Sequence, residues 1–265
     1  MNSPALPLDD ELERIAASGF EFADLTLEPP GGWPVDPERV AARLAELGLG
    51  GVGHTAYYLP IASPFDAVRA GALRSFVDAL DAFAAIGVGV VNVHPDPMTR
   101  LFPRPEIRRR NAEAIAMLLE VASARGLTLA VENLGPRFGT LDDLAAVLDA
   151  VPDAAFHLDV GHAHLVRPGA VTEFVHELLN AFGDRLAHVH VSDNFGLEDL
   201  HLPLGTGTID WPAVVRELKD TGWDGTVTIE VFSHERAHLE TSRRLWQQWW
   251  DAAQVEASTR SASNS

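Results

Sequence analysis

The sequence contains no cysteine among its 265 residues. A disulfide, a thiolate metal site and a cysteine nucleophile are therefore excluded, and any metal ion must bind to nitrogen and oxygen ligands. Long hydrophobic runs are also missing. The longest, around 84–93, is far too short to span a bilayer, and the N-terminus shows no basic segment followed by an apolar one. These features predict a cytoplasmic protein with no membrane partner.

Positively charged side chains are scarce. The 20 Lys and Arg residues face 38 Asp and Glu residues, which gives a formal net charge of −18. Such a charge repels the phosphate backbone of nucleic acids, so a nucleic-acid partner is not expected. The hydrophobic fraction of 46% and the charged fraction of 22% are typical of globular proteins. The length suits one barrel domain, which commonly has about 250 residues.

Strand-like and helix-like segments alternate along most of the chain, which is typical of parallel strands joined by crossover helices. The predicted strands are short and apolar on both faces, namely 23–27, 51–54, 88–94, 127–132, 154–159, 186–191 and 226–231. The predicted helices are 9–18, 37–47, 65–86, 105–125, 141–150, 171–182 and 211–220. The sequence therefore predicts an α/β protein of the TIM (β/α)8 barrel class.

The two ends of the chain depart from this repeat. Only residues 1–8 precede the first predicted helix, and Pro4 and Pro7 disfavour a strand there. The first barrel strand is therefore expected to be short, degenerate or missing. We predict one barrel domain over 1–255. The segment 256–265 is rich in serine and has no apolar anchor, so it is predicted to be a disordered tail.

Six predicted strands end in a side chain that can bind a metal ion. These side chains are His54, His94, Glu132, Asp159, His190 and Glu230. Active sites of parallel barrels are assembled at this end of the strands. A single histidine in such a place could cap a neighbouring loop, but six in register favour one shared site.

The spacing of residues around two strand ends supports this interpretation. In LDVGHAH, Asp159 and His162 are three residues apart, and Gly161 permits a sharp turn between them. In HVHVSDN, His188 and His190 lie on one face of a strand. His190 is nearer the C-terminal end and is therefore the better predicted ligand.

Loops after the strands supply further candidates. Asp199 and His201 form a short chelating pair, although a solvated loop would also explain them. Arg100 belongs to a group of five arginines within 100–110, which could bind a phosphate or line a solvated helix. Trp33 and Tyr57 could stack on a sugar face or serve as ordinary loop packing. Imidazole and carboxylate together suit Zn²⁺, Mn²⁺ or Co²⁺.

The order of these motifs resembles the xylose isomerase-like barrel superfamily, which includes sugar-phosphate isomerases and epimerases and the endonuclease IV family. The resemblance is carried by His54, VNVHP, VEN, LDVGH, HVHVSDN, HLPLGTGTIDW and TIEV, and it runs from about Phe22 to Phe232. It implies one to three divalent ions per chain, Mn²⁺, Zn²⁺, Co²⁺ or Mg²⁺, and a small carbohydrate substrate.

Similarity to the ketose 3-epimerase branch implies one metal ion bound by four side chains. They are Glu132, Asp159, His190 and Glu230. The two glutamates would exchange a proton with a substrate carbon from opposite faces, while His162 helps to hold the substrate. Phe138 and Gly196 stand where this branch has a substrate-binding Glu and an Arg, so the sequence departs from the ketohexose enzymes at two positions.

Similarity to the endonuclease IV branch implies a cluster of three zinc ions with nine ligands. All nine have a counterpart, at His54, His94, Glu132, Asp159, His162, His190, Asp199, His201 and Glu230. The local sequence around these positions differs from that family, since ENLGP and LDVGH depart from its motifs. The ligand set alone does not select phosphodiester cleavage.

Three hypotheses follow from these residues. The first is a metal-dependent isomerase or epimerase acting on a small keto-sugar, polyol or sugar acid. Its catalytic residues would be Glu132, Glu230 and His162, and its substrate contacts His94, His162, Tyr57, Trp33 and Arg100. The second is a zinc phosphodiesterase that cleaves abasic DNA. The third, a non-catalytic barrel that binds a metabolite, is disfavoured by the complete ligand set. A homo-oligomer remains open.

Overall fold

The computed structural model describes residues 1–98, 100–233 and 235–263, with side chains described up to residue 253. The strands are β1 (Phe22–Thr26), β2 (Gly50–His54), β3 (Val90–Val93), β4 (Thr128–Glu132), β5 (Ala155–Asp159), β6 (Leu186–Val191) and β7 (Thr226–Ile229). The helices are α1 (Leu8–Ala17), α2 (Pro37–Leu47), α3 (Asp66–Ile86), α4 (Arg104–Ser123), α5 (Leu141–Leu148), α6 (Val160–Val166), α7 (Val171–Phe182), α8 (Trp211–Asp220) and α9 (Arg236–Ser263). The strands follow sequence order in the sheet.

This order confirms the predicted alternation of strands and helices. Each of the seven predicted strands and seven predicted helices has its counterpart, with ends that differ by a few residues. Helices α6 and α9 were not predicted. Helix α6 begins directly where β5 ends, at the place where the sequence suggested only a turn. Among the described residues, no helix is long and apolar enough to cross a membrane.

The chain divides into two compact units, Met1–His157 and Leu158–Ser265. The single domain over 1–255 stays a prediction. In the first unit, neighbouring strands from β1 to β5 pair in parallel, with Thr26 opposite His54 and Glu132 opposite His157. Gly53 allows β2 to pack tightly, because a Cβ atom there would lie 2.9 Å from Val91 and 3.0 Å from Phe83.

Residues 1–7, all of them described, form turns and no strand, which confirms the expected defect at the start of the barrel. The side chain of Asn2 nevertheless pairs with β1 as a neighbouring strand would. Its Nδ2 donates to the Thr26 carbonyl at 3.1 Å, and its Oδ1 accepts the Thr26 amide at 2.7 Å. Proline cannot donate to a sheet, which explains why Pro4 and Pro7 do not extend this pairing.

In the second unit, β6 and β7 pair in parallel, with His190 opposite Thr228. The buried Trp211 of α8 stacks on Trp249 of α9 at a ring distance of 6.3 Å and meets Trp246 edge-on. Helix α9 continues to Ser263, and the disordered tail over 256–265 stays a prediction. Residues 264–265 lie outside the described residues.

Candidate active site

Three predicted ligands of the second unit converge at the ends of their strands. Asp159 is the last residue of β5, His190 belongs to β6, and Glu230 follows β7; all three are buried. One ligand atom of each lies within 4.8 Å of the others. His190 Nδ1 is 3.1 Å from Glu230 Oε2 and 3.9 Å from Asp159 Oδ2. Two carboxylates and one imidazole at these distances form a donor set suited to a divalent cation.

Asp159 also caps helix α6. Its Oδ1 accepts the amide of His162 at 2.6 Å, while its Oδ2 lies 3.7 Å from His162 Nδ1. A carboxylate is favoured at a helix N-terminus, where backbone amides are unpaired. Gly161 gives the turn room, since a Cβ atom there would lie 2.6 Å from Ser192 Oγ. The LDVGH motif thus fixes one oxygen of Asp159 and directs the other toward the histidines.

The loop residues Asp199 and His201 contact the strand ligands. Asp199 Oδ2 lies 3.1 Å from His162 Nε2, and Asp199 Oδ1 lies 3.4 Å from His201 Nδ1. His201 Nε2 is 3.5 Å from Glu230 Oε2. The six predicted ligands of the second unit therefore form one connected group, and the loop is part of it.

Burial and charge act in opposite directions on this group. Burial alone would raise the pKa of Glu230, but the charge and hydrogen bonds of His190 and His201 lower that pKa well below its usual range. Burial lowers the pKa of His201, yet Glu230, Asp199 and Asp159 raise it above its ordinary value overall. His201 therefore binds a proton more readily than an isolated imidazole, and that proton would offset part of the charge of the carboxylates. A divalent cation would compete with protons for the same atoms.

The predicted ligands of the first unit gather around Glu132, at the end of β4. Glu132 is buried, and its Oε2 accepts a hydrogen bond from Asn92 Nδ2 at 2.9 Å. His94 Nε2 lies 3.0 Å and His157 Nδ1 3.3 Å from the same oxygen. Asn92 is itself oriented, because its Oδ1 accepts the amide of Thr55 at 2.7 Å. These contacts favour the ionised form of Glu132.

His54 joins this first-unit group. Its Nδ1 lies 3.4 Å from Asn92 Nδ2 and 3.7 Å from Asp24 Oδ1, and its ring centroid is 5.0 Å from that of His94. Sequence reasoning missed Asp24, Asn92 and His157. A signal existed for two of them: Asn92 precedes His94 by two residues, and His157 precedes Asp159 by two, so each pair shares one face of its strand.

The predicted substrate contacts in loops are accessible. Tyr57 is 70% exposed and meets Tyr58 edge-on at 5.3 Å, whereas Trp33 is half-buried and Arg100 is exposed. A hydrogen bond to Glu28, together with partial burial, raises the pKa of Tyr58 to about 12. Contact of Trp33, Tyr57 and Arg100 with a substrate stays a prediction.

The arginines of α4 are paired with carboxylates. Arg104 and Arg108 bind the buried Asp143 at 2.7 Å and 2.8 Å, whereas Arg109 and Arg110 bind Glu106 at 2.8 Å and 2.6 Å. This arrangement agrees with the interpretation of these residues as part of a solvated helix surface, since their charges already have partners.

Curated proteins with related sequences include sugar epimerases. The chain is 27% identical to L-ribulose 3-epimerase of Methylomonas sp. over 257 residues, which cover 89% of this chain and 82% of that protein. It is 27% identical to fructoselysine 3-epimerase of Escherichia coli O157:H7 over 157 residues, or 58% of this chain and 56% of that enzyme. An uncharacterized protein of Methanocaldococcus jannaschii is 32% identical over 177 residues; the match covers 64% of this chain and 59% of that protein's length.

Solved structures give the same fold. A D-tagatose 3-epimerase-like protein superposes with a TM-score of 0.85 and 25% identity, covering 95% of this chain and 96% of that protein. L-ribulose 3-epimerase superposes with a TM-score of 0.80 and 23% identity, covering 98% and 94%. The sequence model described as xylose isomerase-like TIM barrel matches residues 12–253. The chain therefore belongs to the xylose isomerase-like TIM barrel family.

Proposed function

We propose that this protein is a divalent-metal-dependent isomerase or epimerase. It would remove a proton from a carbon of a small keto-sugar, polyol or sugar acid and then return a proton to the substrate. The observation that carries the proposal is the buried group of Asp159, His190 and Glu230, whose ligand atoms lie within 4.8 Å of one another. The relatives named as epimerases of L-ribulose and fructoselysine support the same class of reaction.

The donor set fits a divalent cation, because it combines hard carboxylate oxygens with imidazole nitrogen in a buried place. When bound, such an ion polarises a substrate carbonyl and hydroxyl and so acidifies the neighbouring C–H bond. The proposed ligands of a single ion are Glu132, Asp159, His190 and Glu230. If two or three ions bind, the further ligands are His54, His94, His162, Asp199 and His201.

Glu132 and Glu230 are proposed as the acid–base pair. Glu230 has a pKa well below its usual range, so it is a carboxylate at neutral pH and can accept a proton. Glu132 accepts a hydrogen bond from Asn92, which also favours its ionised form. One glutamate would remove the proton, and the other would return one to the opposite face of the carbon. His162, beside both Asp159 and Asp199, is proposed to hold a substrate hydroxyl.

The substrate is proposed to differ from a ketohexose, because Phe138 and Gly196 stand where the ketohexose epimerases have polar side chains that bind the substrate. Phe138 is completely buried, so its position offers no polar contact. Gly196 has a φ of 75°, and a Cβ atom there would lie 2.8 Å from Pro168 Cβ, so a longer side chain would be strained. Trp33, Tyr57, Arg100 and His94 are proposed to contact the sugar. The nuclease hypothesis receives less support, since the formal net charge is −18.

The test follows the transfer of deuterium from D2O into carbon-bound positions of a panel of keto-sugars and sugar acids, read by NMR. The protein is supplied in turn with Mn²⁺, Co²⁺, Mg²⁺ and Zn²⁺, and a His190→Ala variant serves as the control. We expect exchange into at least one substrate with one of the ions, and none in the variant. Absence of exchange with every pair of ion and substrate would refute the proposal.

A further inference from the structure

We propose that Asp193 is the positioning residue that holds the ligand loop, defined as residues 199–210, so that Asp199 and His201 reach the site. This inference rests on the proposed function, because it concerns the second-unit ligand group. Asp193 lies two residues beyond β6 and is completely buried. Among the described residues, its hydrogen-bond partners include no predicted ligand, so we expect its influence on the ligands to pass through the loop.

The carboxylate of Asp193 accepts four hydrogen bonds from the loop and its flanks. Oδ1 accepts the amides of Asn194 at 3.0 Å and Ile209 at 3.4 Å, while Oδ2 accepts the amide of Gly205 at 2.8 Å and the indole Nε1 of Trp211 at 3.0 Å. A buried carboxylate is tolerated only when such donors replace its water. The C-terminal half of the ligand loop is therefore folded around the carboxylate of Asp193.

The backbone of Asp193 holds the near half of the loop. Its amide and carbonyl both pair with Leu202, each at 2.9 Å, in an isolated antiparallel bridge. Leu202 directly follows His201, whose φ of 46° lies in the left-handed region that a side chain with a Cβ atom disfavours. Such a conformation persists only where the surroundings impose it. The Leu202 bridge on one side and the stacking of His201 on Phe232 at 4.2 Å supply that constraint.

The glycine-rich segment of the loop is shaped to fit this carboxylate. A Cβ atom at Gly207 would overlap Asp193 Oδ1 and the carbonyl of Asn194, so only glycine allows the backbone to come this close. The SDN and LGTGT segments of the sequence are therefore two halves of one contact. Neither half carries a predicted ligand, yet together they fix the loop that does.

Each oxygen of the Asp193 carboxylate accepts two of the four hydrogen bonds, so replacing one oxygen tests one pair of donors. Asparagine has nearly the same shape, but only one of its two terminal atoms accepts hydrogen bonds. In Asp193→Asn, one of the two donor pairs must face an NH2 group. The pair on the lost oxygen, Asn194 with Ile209 or Gly205 with Trp211, would then be left unsatisfied and the loop released.

The experiment compares Asp193→Asn with Glu198→Gln, a matched loss of charge at an exposed residue beside the loop. Trp211→Phe, which removes the indole donor alone, is the second variant and decides the matter if Asp193→Asn does not fold. Hydrogen–deuterium exchange of the metal-free proteins is measured for the ligand loop and for α7. The absorption spectrum of added Co²⁺ reports the geometry of the ligands in each variant.

We expect exchange at Gly205 or Ile209 to rise about tenfold or more in Asp193→Asn, with α7 unchanged and an altered Co²⁺ spectrum. Trp211→Phe should show a smaller rise at Gly205, and Glu198→Gln should match the wild type. Wild-type protection of the loop in Asp193→Asn, or equal loss of protection in α7, would overturn the proposal. If the wild type neither binds Co²⁺ nor exchanges substrate protons, the proposed function fails, while the exchange data still decide whether Asp193 holds the loop.

Discussion

We predict that the buried carboxylate of Asp143 stabilises the fold near the first-unit group. Its side chain is completely buried, and its carboxylate binds Arg104, Arg108 and the hydroxyl of Thr140 at 2.6 Å. Asp143 and Thr140 form a capping box at the start of α5. Arg104 also donates to the carbonyls of Pro136 and Arg137, in the loop that follows Glu132. One carboxylate therefore joins α4, α5 and this loop.

Replacing Asp143 with Asn removes the charge but keeps the volume. Two charge-assisted hydrogen bonds are weakened, each contributing about 1.5–3 kcal/mol where water is excluded. The side chains of Arg104 and Arg108 are 36% and 26% exposed, so they regain water and the loss is discounted accordingly. We expect the free energy of unfolding to fall by about 2–4 kcal/mol.

The assay is urea unfolding of the wild type, Asp143→Asn and the matched control Asp142→Asn. Asp142 is the preceding residue of α5, its side chain is 83% exposed, and it lies 3.9 Å from Arg108. The control should change the free energy of unfolding by less than about 0.5 kcal/mol. If the two variants lose the same stability, the reasoning about the buried carboxylate is wrong.

Three further predictions concern acid stability, metal binding and DNA. Burial would raise the pKa of Glu11, but Arg14 lowers it overall. Ionised Glu11 therefore stabilises the fold at a pH above the unfolded pKa, and this stabilisation is lost as pH falls through the folded pKa. In urea unfolding, Glu11→Gln should lower the free energy of unfolding by about 1–2 kcal/mol at pH 7 and by progressively less below about pH 4. A divalent ion at a hundredfold excess over its Kd should stabilise the protein by about 2.7 kcal/mol and raise Tm by several degrees. An equal rise in the Tm of His190→Ala would exclude His190 as a ligand of the ion. Abasic duplex DNA should show no binding at physiological salt in a fluorescence anisotropy titration, whereas a salt-sensitive rise would favour the phosphodiesterase.

The elements that sequence reasoning predicted are those whose signal is local. A strand such as β6 is a short apolar run, and His190 stands near its C-terminal end, which is the end where parallel barrels assemble their active sites. The positions of Asp159 and Glu230 at strand ends were predicted in the same way, whereas their binding of a metal ion stays a prediction. The cap that Asp159 provides to α6 was missed, since a seven-residue helix starting at a strand end leaves too short a pattern to be recognised.

The residues that sequence reasoning missed are defined by contacts between distant segments. His157 was not predicted because its significance depends on Glu132, which lies 25 residues earlier on the neighbouring strand. Asp193 was passed over for a similar reason, since its donors lie up to 18 residues further along the chain. The apolar pattern identifies the face on which such residues lie, but their partners depend on strand register and loop path.

The central claim is that Glu132 and Glu230 form the acid–base pair, and it is tested by NMR in D2O on both epimers of a substrate found in the exchange screen. Glu132→Gln and Glu230→Gln should each lower epimerisation by at least about 10². Any exchange that survives should occur with one epimer in the first variant and with the opposite epimer in the second. Co²⁺ binding by each variant is measured in parallel, so that loss of the ion is recognised. Epimerisation at the wild-type rate in either variant, with the ion bound, would contradict the account.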